Sequence, residues 1–418
     1  MDPAMTRRER VLRGLSFQET DRVPMDLGGM ASTGISCFAY PRLVEALGLP
    51  PRRPRVYDTM QMLALPDLDV LDALDCDVVA INWEVTNAFD QPEKWHDFDF
   101  GGRLHAQVRW PEDYVVHCDG TVEQPGAGAR MPLSSFVFDF EHGGQPLSPL
   151  DDHDLPLYDL DALRETLATQ LPTAEDVTRT AELCARVHEA TDRAVFMTGP
   201  IDAGISIMAH GGLGVFPVIC LLRPDYVADY HELMTEHFLR KAELLLPAIA
   251  PSVDIMMLSA DDWGTQQSTI ASPRTFRELF LPYYRTMNDA VHRLAPGVRT
   301  FLHSCGAVYD IIGDVIESGF DILNPVQWTA GAYSYQQWKE LCAGRIALWG
   351  GGVNAQVTLP RGSVREVECE VAEVVSCLSR GGGYVFNSIH NVGMQLTQVH
   401  TICSIRGYEV ADPPPQSA

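Results

Sequence analysis

The chain has 418 residues, of which 46% are hydrophobic and 21% are charged, and its formal net charge is −25 at pH 7. This composition is typical of a globular protein, and the length suits either several domains or one barrel with insertions. So acidic a chain argues against a nucleic-acid or membrane partner, because binding to phosphates needs basic patches. No apolar run reaches the roughly 18 residues of a membrane span.

The cysteines and the first residues indicate the compartment. The ten cysteines are scattered without the spacing of a disulfide framework, and the first residues carry no hydrophobic stretch of the signal-peptide type. Both features favour a reducing environment, so we expect a cytoplasmic protein. The sequence leaves the oligomeric state open, a homodimer included.

Eight short apolar, β-branched runs recur along the chain, and amphipathic helical segments separate the later ones. Strands buried on both faces and joined by helices are typical of parallel sheets. Eight such units predict an α/β fold, a TIM (β/α)8 barrel, with a doubly wound open sheet as the competing interpretation. The runs lie at 23–29, 77–84, 194–200, 252–264, 298–306, 320–327, 345–354 and 383–392.

Two crossover helices are well marked. Residues 171–192 are amphipathic, and residues 271–295 carry apolar positions at helical spacing. In the second segment Ser272 is the expected N-cap and Pro273 the first helical residue. We predict one helix in each segment.

Residues 100–150 break the strand–helix alternation. Their period-two pattern with DG and GAGA turns predicts a β-hairpin insertion over one end of the barrel. We therefore expect a single barrel domain over residues 1–410 that carries this insertion. Residues 411–418, the end of a proline-rich tail, are expected to be disordered.

Polar residues gather where the predicted strands end, which is where a barrel of this kind carries its chemistry. His303 and Cys305 lie on one face of the fifth predicted strand, roughly 6.6 Å apart along the chain. An imidazole and a thiolate there form half of a tetrahedral zinc site, and three protein ligands with one open position define the catalytic form. His390, which ends the last strand, is the best candidate for the third ligand.

Each of these residues also has a simpler explanation. Cys305 would serve equally as a packing residue and His303 as a loop cap, and His390 as a hydrogen-bonded interior histidine. The strand ends also carry other polar or aromatic side chains: Asp26, Trp83, Glu84, Asp261, Asp262, Trp263, Asn324 and Gln327. Of these, Asp262 could instead cap a helix or pair with an arginine, and Asn324 and Gln327 could satisfy backbone groups.

Five stretches resemble the uroporphyrinogen decarboxylase superfamily, in particular its zinc- and corrinoid-linked methyltransferases. That branch includes the methylcobamide:coenzyme M methyltransferases and the O-demethylase methyltransferases. The stretches are RRERVLRGLSFQETDRVPMDLGG, SADDWGTQQSTIASPRTFRELFLPYYR, FLHSCGAVYDIIGDVIESGFDILNPVQ, LWGGGVNAQVTLPRGSVREVECEV and GGGYVFNSIHNV.

The resemblance implies a single TIM barrel in which His303, Cys305 and a later residue bind Zn²⁺. Several members have cysteine at the later position, where this chain has His390. The chain lacks the arginine-rich stretch with which the decarboxylases of the superfamily bind carboxylates, so tetrapyrrole decarboxylation is not expected. It also lacks a DxHxxG corrinoid motif, so the resemblance implies a corrinoid (cobalamin) carried by a separate partner protein.

The resulting hypothesis is methyl transfer, such as demethylation, between that corrinoid and a small methyl donor or acceptor: an ether, an amine or a thiol. Asp261, Asp262 and Glu84 are the catalytic candidates. The substrate-binding candidates are Asp26, Trp83, Trp263, Asn324 and Gln327. The alternatives are a zinc-independent decarboxylase or lyase of the same superfamily, and a binding subunit without chemistry.

Overall fold

The computed structural model describes residues 5–140 and 155–393. Seven parallel strands pair in chain order to form a curled sheet. An extended segment at residues 23–26 takes the first place, so we number these strands second to eighth. They are Val78–Asn82, Ala194–Thr198, Ile255–Ala260, Arg299–His303, Ile322–Asn324, Ala347–Trp349 and Tyr384–Val385.

The extended segment closes the barrel. Met25 forms a parallel bridge with Phe386, at the end of the eighth strand. On its other side, the amide of Asp77 donates to the carbonyl of Met25 at 2.7 Å, next to the second strand. The chain is therefore a (β/α)8 barrel, as the eight apolar runs predict, and the open sheet is excluded.

Helices cover the outside of the barrel and one plugs its amino end. Arg7–Leu15 begins at the N-cap Thr6, whose hydroxyl accepts from the amide of Glu9. Its Val11 and Leu15 pack against the residues inside the barrel. The other α-helices are Tyr40–Ala46, Leu68–Ala73, Leu160–Thr169, Ala174–Ala190, Phe216–Leu222, Pro224–Ile249, Pro273–Leu279, Leu281–Leu294, Ile312–Glu317, Tyr335–Cys342, Thr358–Arg361 and Val364–Leu378.

The segment 271–295 forms two helices rather than the predicted one. Ser272 is the N-cap, as predicted, and its hydroxyl accepts from the amide of Thr275. The first helix ends at Leu279 and the second begins at Leu281, with Pro282 in its first turn. Proline lacks the amide hydrogen and its ring clashes with the carbonyl four residues earlier, which breaks the helix there.

The region after the second strand contains more than the predicted hairpin. His96–Asp99 pairs with His105–Val108 as a hairpin, and Val115–Val116, Val122–Gln124 and Ala129–Met131 form an antiparallel sheet. A further antiparallel sheet joins Ile35–Ser36, Leu63–Ala64 and Val56–Asp58. Residues 141–150 of the predicted insertion and the tail 411–418 lie outside the described residues.

The interior of the barrel is filled below its carboxyl end. Phe196, Phe301 and Trp349 pack against one another with ring centroids 4.8–5.7 Å apart. Because side chains alternate along a strand, His303 points to the same interior side as Phe301 and lies on top of this aromatic layer. In the two described stretches, no helix combines the length and apolar character that crossing a bilayer requires.

Candidate metal centre

The three predicted metal ligands meet at the carboxyl end of the barrel. One ligand atom each from His303, Cys305 and His390 lies within 4.8 Å of the other two. The Cys305 Sγ is 3.3 Å from the His303 Nε2, and the two imidazole centroids are 6.1 Å apart. His303 is buried, whereas Cys305 and His390 are partly exposed, so the cluster is open on one side.

Asn324 fixes the orientation of His303. Its Nδ2 donates to the carbonyl of Trp349 at 2.9 Å, which leaves its Oδ1 to face the His303 Nδ1 at 2.6 Å. Because this oxygen only accepts, the Nδ1 must carry the hydrogen, and the Nε2 is the nitrogen left for a metal. A second partner of this kind is typical of metal-binding histidines.

The Cys305 backbone is held by two strand-end side chains. Its amide donates to the Asp262 Oδ1 at 2.8 Å, and the next amide, of Gly306, donates to the Gln327 Oε1 at 2.6 Å. Gly306 has φ +87°, and a Cβ there would lie 2.2 Å from the backbone of Gly264. The turn that presents the thiol therefore requires glycine.

The charges of the cluster are coupled. Burial lowers the pKa of His303, but Cys305 and Asp262 outweigh it and raise that pKa well above its usual value. Burial raises the pKa of Asp262, but the hydrogen bond and charge of His303 outweigh it and lower that pKa to about 2. Burial lowers the pKa of His390 to about 4. A metal cation bound in place of the proton on the His303 Nε2 would be attracted by the same Cys305 and Asp262 side chains.

Ser32 is a member of the cluster that the sequence did not indicate. It lies in the short helix Ala31–Thr33, it is buried, and its Oγ is 3.2 Å from the His303 Nε2. The Asp262 Oδ1 is 3.4 Å from the same nitrogen. A serine in a loop 271 positions before its partner has no local motif, so nothing in the sequence links the two.

Asp261 was predicted to be catalytic and Trp263 to bind substrate, and the structure shows both side chains in contacts within the protein. Asp261 is fully buried and accepts from the Ser206 hydroxyl, the Ile207 amide and the Trp263 Nε1 at 2.5–2.7 Å. Burial raises its pKa to about 6. Trp263 is fully buried and packs edge-on against Phe280. Neither side chain is accessible to a substrate.

Asp26 is also buried, but inside the barrel. Its carboxylate accepts from the Gly29 amide at 2.9 Å and from the Trp349 Nε1 at 3.0 Å. Burial raises its pKa to about 6. These contacts support the first loop of the barrel. Asn324 and Gln327 also bind backbone groups, the carbonyl of Trp349 and the amide of Gly306. Asp26, Asn324 and Gln327, three of the five predicted substrate-binding residues, therefore hold protein groups in place.

Trp83 and Glu84 lie at the surface. Trp83 is 55% exposed, and its ring lies against Gly199, where a Cβ would come within 2.7 Å. The Glu84 carboxylate is 3.2 Å from Arg109 and 3.5 Å from Lys94. In the described part of the chain no hydrogen bond or ion pair connects either residue to the three-ligand cluster, so their predicted roles have no support from the geometry.

The donor set fits a zinc ion. Zinc takes one thiolate at about 2.3 Å and imidazole nitrogens at about 2.0–2.1 Å, which puts tetrahedral ligand atoms roughly 3.3–3.6 Å apart. The Cys305 Sγ and the His303 Nε2 are 3.3 Å apart, slightly less than the roughly 3.6 Å expected for a thiolate and an imidazole on one zinc ion. The third ligand, His390, lies within 4.8 Å and follows the last strand, so a small side-chain adjustment would complete the set.

Comparisons with known proteins agree with this architecture. The family model "Uroporphyrinogen decarboxylase (URO-D)" matches residues 139–403, more than half of the chain. No curated protein matches the sequence significantly. Among solved structures, a methyltransferase from Methanosarcina mazei has a TM-score of 0.54 at 15% identity, covering 96% of this chain and 98% of that chain.

A glycoside hydrolase structure is much less similar. The Ignisphaera aggregans GH53 catalytic domain has a TM-score of 0.27 at 12% identity, covering 57% of this chain and 79% of that chain. This likeness is too low to support a conclusion. The methyltransferase structure supports the fold alone, because its identity to this chain is also low.

Proposed function

The chain belongs to the uroporphyrinogen decarboxylase (URO-D) family, and within that family we propose that it is a zinc-dependent methyltransferase. It would move a methyl group between a small ether, amine or thiol and a corrinoid carried by a separate protein. The observation that carries this proposal is the meeting of His303, Cys305 and His390 at the open end of the barrel.

The three residues would hold the zinc ion and leave a position for a substrate atom. Bound there, zinc supplies a Lewis acid that stabilises charge on the heteroatom that loses the methyl group, or holds a thiol as its thiolate. The Nδ1 of His303 keeps its hydrogen through Asn324, so its Nε2 stays directed into the cluster. The Asp262 carboxylate fixes the Cys305 backbone and offsets positive charge at the site.

Ser32 adds a neutral donor to the same place. Its hydroxyl lies 3.2 Å from the His303 Nε2, and it loses that partner when the nitrogen binds a metal. It then becomes free to donate to a substrate oxygen or nitrogen beside the ion. We assign it this positioning role within the proposal.

The proposal places the corrinoid on a separate protein because the sequence has no corrinoid-binding motif of its own. The sequence contains no DxHxxG corrinoid motif, so the cofactor would reach the barrel on a partner protein. The partly exposed faces of Cys305 and His390 leave the cluster accessible from one side, as a bimolecular methyl transfer requires.

Metal analysis and one cysteine variant test the proposal. The purified chain should contain one zinc ion, and Cys305→Ser should lose both the zinc and methyl transfer from a methyl donor to free cob(I)alamin. Cys369→Ser, at an exposed position, is the matched control and should keep both. Full zinc and full turnover in Cys305→Ser would refute the assignment.

The same measurements separate the alternative. A zinc-independent decarboxylase or lyase would contain no stoichiometric metal, and its activity would survive treatment with a chelator. Chelator-resistant turnover in a metal-free preparation would replace the methyltransferase proposal with this one.

A further inference from the structure

A groove of about 590 Å³ opens beside the metal centre, and His390 lies in its wall. This volume falls within the range of small-molecule sites, about 300–1,000 Å³. A ligand in this groove would have one end at the metal centre and its body along the remaining wall.

The wall that contains His390 is fixed by the segment that follows the eighth strand. The Asn391 Nδ2 donates to the Gln61 Oε1 at 2.8 Å, and its Oδ1 accepts from the Gly34 amide at 3.1 Å. The Val392 carbonyl accepts from the Ser36 amide at 2.9 Å. These bonds give the wall a defined shape before any ligand binds.

Another part of the lining comes from the loop after the seventh strand and the helix Thr358–Arg361. The Asn354 Oδ1 accepts from the amides of Gln356 and Val357 at 2.9 and 3.0 Å, and the Asn354 amide donates to Glu370 at 2.6 Å. This part of the lining is therefore also held in place by hydrogen bonds.

Much of the groove is apolar. Leu63, Phe136, Val137 and Val392 contribute to its lining. Phe136 is 36% exposed and is held by an edge-on contact with Phe38, with ring centroids 5.1 Å apart. Such a surface favours a ligand with an apolar or aromatic body.

Arg361 is the exception. Apart from His390, it is the one basic or acidic side chain in the lining of this groove. Across residues 5–140 and 155–393, its guanidinium makes no hydrogen bond or ion pair, although the chain has 56 acidic and 31 basic residues. Other exposed arginines of the described residues, such as Arg293 and Arg345, also have no partner, so what distinguishes Arg361 is its place in the lining of an apolar groove.

We propose that this groove binds a substrate with an apolar body and an anionic end, a carboxylate or a sulfonate, and that Arg361 binds the anion. A guanidinium presents paired donors that match the geometry of such groups. The statement that the opposite end reaches the metal centre rests on the proposed function, whereas the anion site rests on the groove alone.

Isothermal titration of three probes tests the proposal. The probes are 4-methoxybenzoate, 4-methoxybenzenesulfonate and the neutral 4-methoxybenzamide, titrated into zinc-loaded and into chelator-treated full-length protein. We expect at least one anion to bind about tenfold more tightly than the amide, the size of one charge-assisted hydrogen bond at the exposed Arg361. Added NaCl should weaken the binding of the anion and leave the binding of the amide unchanged.

Two variants locate the effect. Arg361→Gln should remove the preference for the anion, whereas Arg365→Gln, at an exposed arginine outside the groove, should keep it. Equal binding of anions and amide by the wild type, or an unchanged preference in Arg361→Gln, would overturn the proposal. A preference that survives in chelator-treated protein supports the anion site even if zinc or methyl transfer is absent, so the two proposals fail separately.

Discussion

Asn324→Ala is the most specific test of the candidate metal centre, because it leaves all three proposed ligands in place. The substitution removes the acceptor of the His303 Nδ1–H and the donor to the Trp349 carbonyl. Losing the partner of a metal-binding histidine typically weakens metal binding about 10–100-fold, which is about 1.4–2.7 kcal/mol. Losing two buried hydrogen bonds also costs about 2–4 kcal/mol in the free energy of unfolding.

Asn288→Ala is the matched control for the loss of stability. Asn288 is fully buried, and its Nδ2 donates to the carbonyls of Tyr284 and Ser318 at 2.9 and 2.8 Å, away from the metal centre. Zinc affinity is measured by competition with a chromophoric chelator, and stability by urea unfolding. If both variants lost stability equally and both kept wild-type zinc affinity, Asn324 would not orient a ligand.

Three further predictions concern the frame around the site. Gly306→Ala should lower the free energy of unfolding by about 2–3 kcal/mol and weaken zinc binding, because a Cβ would meet the Gly264 backbone. Urea unfolding measures the first effect and chelator competition the second, and unchanged values would contradict the prediction. Asp77→Ala should lower the free energy of unfolding by about 3–5 kcal/mol, because Arg10 loses its buried partner. Zinc affinity in the folded variant should stay unchanged. Burial lowers the pKa of His231 to about 4, so the unfolded chain takes up a proton on this residue at a higher pH than the folded chain does. The resulting contribution of about 3 kcal/mol to the free energy of unfolding is complete above pH 6.5 and is lost as the pH falls toward 4. His231→Gln should flatten this part of the stability profile, and an unchanged slope between pH 4.5 and 7 would contradict the assignment.

The barrel could be predicted because its strands are buried on both faces. Runs such as 194–200 and 298–306 read as continuous apolar segments, and amphipathic helical segments separate the later runs. The first place in the barrel carries one bridge, at Met25, yet the sequence marks it as clearly as the others. The pattern of buried apolar residues, rather than the length of the strand, therefore identifies a barrel strand in the sequence.

The three candidate metal ligands were also chosen from their places at predicted strand ends. The expected alternation put His303 and Cys305 on one face of a strand. In the structure His303 ends its strand, Cys305 lies in the turn that follows, and His390 lies five positions after the strand that closes the barrel. Their partners were harder to assign. Asn324 and Gln327 lie beside the candidate site, but their side chains bond to neighbouring protein groups, and a sequence does not show which way such side chains turn.

The contacts that the sequence could not indicate belong to residues whose environment is set by distant parts of the chain. Asp261 and Asp262 are adjacent, and alternation sends their side chains in opposite directions, one into a buried network and one to the cluster. Trp263 packs between helices, and Ser32 reaches the site from a loop near the first strand. Only the folded chain distinguishes these cases.

X-ray absorption at the zinc edge of the purified protein tests the central claim most directly. We predict one zinc ion per chain with one sulfur ligand at about 2.3 Å and two imidazole nitrogens at about 2.0–2.1 Å, and loss of the sulfur signal in Cys305→Ser. A protein without zinc, or a spectrum with no sulfur ligand, would contradict the account.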